Sequence, residues 1–191
     1  MVTPVRFIHI EKCGGTSVAK FLNDNNFDFL MGKNFKKNKK HSHAAMFEHE
    51  DSFKFTVVRN PYTRLISFYN YNKNKIGNCT FEEFVKNKLT ENLITLQVMK
   101  IHKPIENAVF GPMSIRELEK QFHWDKMLVD KIFKLENLQE LKQYLKIDAE
   151  FPIENKSIKA NPESYYNYEL KEIVADHFKK DFEILGYNSE L

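Results

Sequence analysis

Cysteine is scarce in this 191-residue chain, which has only Cys13 and Cys79. A secreted domain of this size would more often carry a larger, even, spaced set, so the pair argues for a reducing compartment. Long apolar runs are missing too. Nothing approaches the roughly 18 to 20 residues needed to span a bilayer, and the N-terminus lacks an apolar signal core with a small-residue cleavage site. These absences predict a soluble, cytoplasmic protein without membrane insertion. Charge of one sign is not in excess either: a formal net charge of +3 is too small for a dedicated nucleic-acid binder, so any anion preference has to come from local clustering. No Cys or His spacing matches a zinc site, and no metal requirement is expected. The Walker A pattern GxxxxGK[ST] is absent, which speaks against an ATP-type P-loop.

What is present describes a folded chain. Hydrophobic residues make up 42% and charged residues 29%, with 17 Phe, a composition that argues against disorder and suits a single domain over residues 1–191. Val5–Ile10, Phe53–Arg59 and Lys131–Leu135 read as short buried strands. Helices are expected after Thr16, from Pro61 behind an Asn60 cap, after capping boxes at Thr80/Glu83 and Ser114/Glu117, over Ile94–Ile101, after Asn137, and from Glu169 to Gly186. Pro104–Pro112 reads as a loop. Strands alternating with helices predict an α/β fold, a central parallel sheet flanked by helices in three layers.

In such a fold, ligands sit outside the carboxyl ends of the strands. The first strand runs into "EKCGGTS", where Lys12, Cys13, Gly14, Gly15, Thr16 and Ser17 stand at a helix N-terminus. Backbone N–H groups point outward there, the helix dipole adds positive potential, and Lys12 adds a mobile charge. The glycines permit a tight turn and close approach of an oxyanion. The pattern describes a phosphate cradle, although Gly-Gly-Thr-Ser also caps many ordinary helices. The second strand ends in "RNPYTRLISF". Arg59 closes it, and Arg64 and Ser67 lie one turn apart on the next helix, so guanidinium and hydroxyl can converge on a second phosphate with geometry that lysine matches poorly. Two cradles on neighbouring strand ends call for a ligand carrying two separated phosphates.

"FIHIEKCGGTS" resembles the 5′-phosphosulfate loop of the PAPS-dependent sulfotransferases, written K-x-G-G-T-S in the carbohydrate branch, and "FTVVRNPYTRLISFYNY" resembles that family's 3′-phosphate segment, R-N-P-x-x-R-x-x-S. "VDKIFKLENLQELKQYL", the "NKS" of residues 155–157 and "YYNYELKEIVADHFKKDFEILGY" are similar to small bacterial-type members, so the likeness covers nearly the whole chain. Glu11 departs from the proline that many members carry there, and the region between the first helix and the second strand is shortened. The resemblance implies a P-loop-like fold and transfer of a sulfuryl group from 3′-phosphoadenosine 5′-phosphosulfate, leaving adenosine 3′,5′-bisphosphate, to a small-molecule or glycan acceptor. It implies Lys12 and the backbone of Cys13 to Ser17 at the 5′ side, Arg59 and Ser67 at the 3′-phosphate with Arg64 as a helper, and Lys156 with Ser157 closing over the nucleotide. A histidine general base suits a hydroxyl acceptor near neutral pH, and the resemblance offers His41 and His43, with a lean toward His41. His9 reads instead as a core histidine. The competing readings are a polyanion or RNA binder using the basic run Lys33–Lys40, and a nucleotide kinase of related architecture.

Overall fold

A computed structural model describes residues 5–31, 43–77, 79–89, 94–110, 113–152 and 161–190. In chain order its strands and α-helices are β1 (Val5–Ile8), α1 (Gly15–Asp24), β2 (Phe29–Leu30), β3 (Lys54–Val58), α2 (Pro61–Asn72), α3 (Phe81–Glu83), β4 (His102–Pro104), α4 (Ile115–Glu119), β5 (Phe122–Met127), β6 (Lys131–Lys134), α5 (Leu138–Leu145), α6 (Tyr168–His177) and α7 (Lys179–Leu185). They fall into two compact units.

The first unit comprises Met1–Arg59, Lys100–Lys103 and His123–Lys156. Its sheet has the order β2-β1-β3-β6, and every pair is parallel. Phe7 stands opposite Phe55, and Val57 opposite Phe133. The Phe7 and Phe55 rings stack with centroids 5.0 Å apart, and the Thr56 hydroxyl donates to the Ile8 carbonyl at 2.8 Å. α1 buries Val18, Phe21 and Leu22, its i, i+3, i+4 stripe, in a cluster with Phe7, Phe55, Val57, Phe133 and Leu141. Each such side chain contributes roughly 1.5–3 kcal/mol on leaving water, so this cluster fixes the strand register and with it the strand ends. β4 and β5, which the sequence does not announce, pair as a separate two-stranded sheet.

The second unit comprises Asn60–Met99, Pro104–Phe122 and Ser157–Leu191. Asn60 caps α2 by accepting from the Tyr62 amide at 2.9 Å, with Pro61 at the first helical position. The helix buries Tyr62, Leu65, Ile66 and Tyr69. Both predicted capping boxes form, at Thr80/Glu83 and Ser114/Glu117.

Two helix expectations need correction. Ile94–Ile101 holds only a 3₁₀ turn at Val98–Lys100 among its described residues, because the amides of Gln97 and Val98 donate to the buried Asp181 carboxylate, both at 3.0 Å, instead of to carbonyls one turn back. The single helix expected from Glu169 to Gly186 breaks at Phe178 (φ −100°, ψ 21°) into α6 and α7. That break puts Asp181 in the first turn of α7.

Candidate anion-binding site

β1 is flanked by β2 on one side and β3 on the other, so the sheet's direction of growth reverses between β1 and β3. The crevice outside the carboxyl ends at such a reversal is where open parallel sheets hold ligands. Two segments reach it in the first unit: the turn from β1 into α1, and Arg59 at the end of β3.

The turn is an unusual piece of backbone. Lys12 (φ 63°) and Gly14 (φ 73°) both lie in the left-handed region, which costs a side chain-bearing residue about 1–2 kcal/mol. Gly14 is the N-cap of α1 and brings no side-chain cap to it. A side chain at either glycine would meet protein: a Cβ on Gly14 would stand 2.5 Å from Leu135 Cδ1, and one on Gly15 would overlap the His9 imidazole. The glycine pair therefore has a packing cause besides ligand approach, set by Leu135 and His9, two residues the sequence reading did not connect with the turn. Cys13 is buried, its Sγ donating to the Glu11 carbonyl at 3.5 Å. Thr16 is exposed and Ser17 half-buried.

Arg59 reaches back to this turn, and its Nη1 donates to the Lys12 carbonyl at 3.4 Å. Burial holds the Lys12 ammonium below the usual lysine range, the Arg59 charge lowers it further, and Glu11 and Cys13 oppose the shift. Two cations are thus held at adjacent strand ends at the expense of their mutual repulsion, and an anion entering between them would be stabilised by both.

The other candidates stand elsewhere or outside the description. His43 caps the 3₁₀ turn Ala44–Phe47, its Nδ1 accepting from the Ala45 amide at 3.1 Å. A neutral ring accepting at Nδ1 carries its hydrogen on Nε2. In the second unit, Arg64 is fully buried on α2. Its Nη1 donates to the Thr95 carbonyl at 2.8 Å and lies 3.9 Å from Asp181 Oδ2, so its charge is engaged inside that unit. Ser67, one turn on, is 8% exposed. His41, Lys156, Ser157 and the basic run Lys33–Lys40 lie outside the described residues.

This is an α/β protein with paired cations at the switch point of a parallel sheet. The model of the Sulfotransferase family matches residues 3–188, and the chain belongs to that family. Among solved structures, a sulfotransferase from Alicyclobacillus acidocaldarius is similar over 98% of both chains, at 12% identity and a TM-score of 0.47. No curated protein compared with the chain matches it. Family membership supports sulfuryl transfer as the activity. Among the described residues, no helix is long and apolar enough to cross a membrane.

Proposed function

We propose that the protein transfers a sulfuryl group from 3′-phosphoadenosine 5′-phosphosulfate to a hydroxyl of a carbohydrate or other small acceptor. The observation that carries this reading is the Arg59 guanidinium held against the Lys12 turn at the β1/β3 switch point. An anionic leaving group is what that pair of charges favours, and stabilising charge that builds on a departing phosphate is the main demand of in-line transfer. Lys12 binds the 5′-phosphate and its bridging oxygen, with the backbone of Cys13 to Ser17 around it. Arg59 and Ser67 take the 3′-phosphate. Arg64, engaged with Thr95 and Asp181, serves to position α2. Lys156 and Ser157 close over the nucleotide, a role that rests on the sequence pattern.

In the transfer step the acceptor oxygen forms a bond to sulfur as the bond from sulfur to the bridging oxygen breaks, and that electron pair leaves with the phosphate. The acceptor's proton passes to a histidine. With Nδ1 of His43 used by its cap, we assign the base to His41. Residues 1–191 act as one sulfotransferase domain, cytoplasmic, without metal and without a nucleic-acid partner; the family match across both units supports the single domain.

The test is thermal stabilisation by adenosine 3′,5′-bisphosphate, ATP and adenosine monophosphate. A ligand at about 100 times its Kd adds roughly 2.7 kcal/mol to the folded state. The bisphosphate is expected to give the largest shift, and Lys12→Ala and Arg59→Ala to abolish it. Equal shifts from ATP would favour a kinase. RNA binding with a steep salt dependence that ignores Lys12→Ala would favour a polyanion binder. Either result overturns the proposal.

A further inference from the structure

One flank of α1 lines a cavity that the transfer step does not use. Gly15 and Thr16, Ala19 and Lys20, and Asn23 and Asp24 recur along it at helical spacing, opposed by His9 and Met31, around about 280 Å³. This flank is distinct from the Val18, Phe21, Leu22 stripe that packs into the core. The cavity follows the helix from Gly15 to Asp24, about 14 Å at 1.5 Å per residue. Its inner end is Gly15–Thr16, the residues proposed to surround the donor's phosphosulfate. A molecule lying in it would therefore present one end to the group being transferred.

We propose that this cavity is the acceptor pocket and that it takes a small, uncharged, polyhydroxylated molecule about one ring in size, not a charged polymer. The inference rests on the sulfuryl-transfer reading above. Three observations specify the ligand. The lining charges cancel, because Lys20 Nζ and Asp24 Oδ2 pair at 3.0 Å; a carboxylate or sulfate on the acceptor would have to break that pair or sit beside Asp24 uncompensated. The remaining polar lining mixes groups that donate and accept, in His9, Thr16 and Asn23, which suits hydroxyls that do both. Ala19 and Met31 supply an apolar floor for the carbon face of a ring. The volume lies just below the roughly 300 to 1,000 Å³ range of ligand pockets, which a single ring is enough to fill.

The experiment is a ¹⁵N amide titration of the full chain, first with adenosine 3′,5′-bisphosphate, then with D-glucose, with D-glucuronate as the charged comparator. Glucose is expected to move the amides of Thr16, Ala19, Lys20, Asn23 and Met31, and glucuronate to bind more weakly. Ala19→Leu, which fills the cavity, should lose the glucose response while the bisphosphate still moves Cys13 to Ser17. Glucose leaving those wild-type amides unmoved, glucuronate binding equally well, or an unchanged glucose response in Ala19→Leu would each overturn the acceptor assignment, and the wild-type titration decides even should the variant fail to fold. A bisphosphate that moves none of Cys13 to Ser17 would instead sink the sulfuryl-transfer reading, a separable result.

Discussion

Arg59 and Arg64 stand five positions apart, one in each unit, and the fold treats them in opposite ways. Arg64 is buried completely and its charge is answered from within, by the Thr95 carbonyl and the Asp181 carboxylate. Asp181 in turn accepts from the amides of Gln97 and Val98 and from the Gln97 side chain. Arg59 is half-buried and set beside a second cation, whose protonation it disfavours. The first arrangement is closed in that its partners lie within its own unit, though burial still holds the Asp181 carboxyl above the usual carboxylate range. The second would gain energy from an arriving anion. A guanidinium held against like charge keeps attraction to offer an anion, and one answered by a buried carboxylate keeps less, even where both occur in the same short motif.

The closed arrangement should show the largest effect when broken. Arg64→Ala leaves the Asp181 carboxylate buried without its cation, a loss of about 3–5 kcal/mol to be read as a lower urea midpoint. If the stability of Arg64→Ala matches that of Arg59→Ala, the contrast between the two arginines fails. His177 provides a second internal group in the same unit. Burial, helped by Arg116 and opposed by Asp176, brings it from 6.5 to about 4. The unfolded chain then binds a proton before the folded one does, so its contribution is complete above about pH 6.5 and is lost as pH falls toward 4. Up to about 3 kcal/mol is involved. His177→Leu should flatten denaturation midpoints across that window.

Changes in the open site should be smaller in stability and larger in binding. Gly14→Ala combines a left-handed φ, which costs about 1–2 kcal/mol by itself, with a steric cost from the approach to Leu135. A second change, Leu135→Ala, should restore only the steric part. The smallest effect has the opposite sign: Lys12→Gly relieves a left-handed lysine and should stabilise the fold by under about 1 kcal/mol, while removing the thermal shift given by adenosine 3′,5′-bisphosphate. A variant both less stable and still responsive to that ligand would contradict the view that the turn holds a strained lysine for binding.

Local chemistry was readable from the residues. The cap and proline at Asn60–Pro61 and the boxes at Thr80 and Ser114 depend on neighbours within four positions and formed as expected; Asn137 precedes α5 but makes no side-chain cap. Buried strands with aromatic and β-branched residues were equally visible, whereas β2, two residues long, and β4 and β5, with polar and charged residues, carried no such pattern. Within the site, Lys12 and Arg59 could be nominated from their places at strand ends, and they meet across 47 residues because β1 and β3 are neighbours. The burial of Arg64 could not be foreseen, since its carboxylate partner stands on the last helix. The wall that His9 makes against Gly15 depends on how one ring packs, which no spacing encodes.

The rims of the parallel sheet have a consequence of their own. Among the described residues it ends in β2, only two residues long, and in β6, which begins and ends with lysine. A short rim offers an incoming strand few hydrogen bonds, and a lysine-flanked one repels its own copy. Concentrated solutions of the folded chain should accordingly resist edge-to-edge zipping into fibrils, and stay clear at low ionic strength where that repulsion reaches farthest.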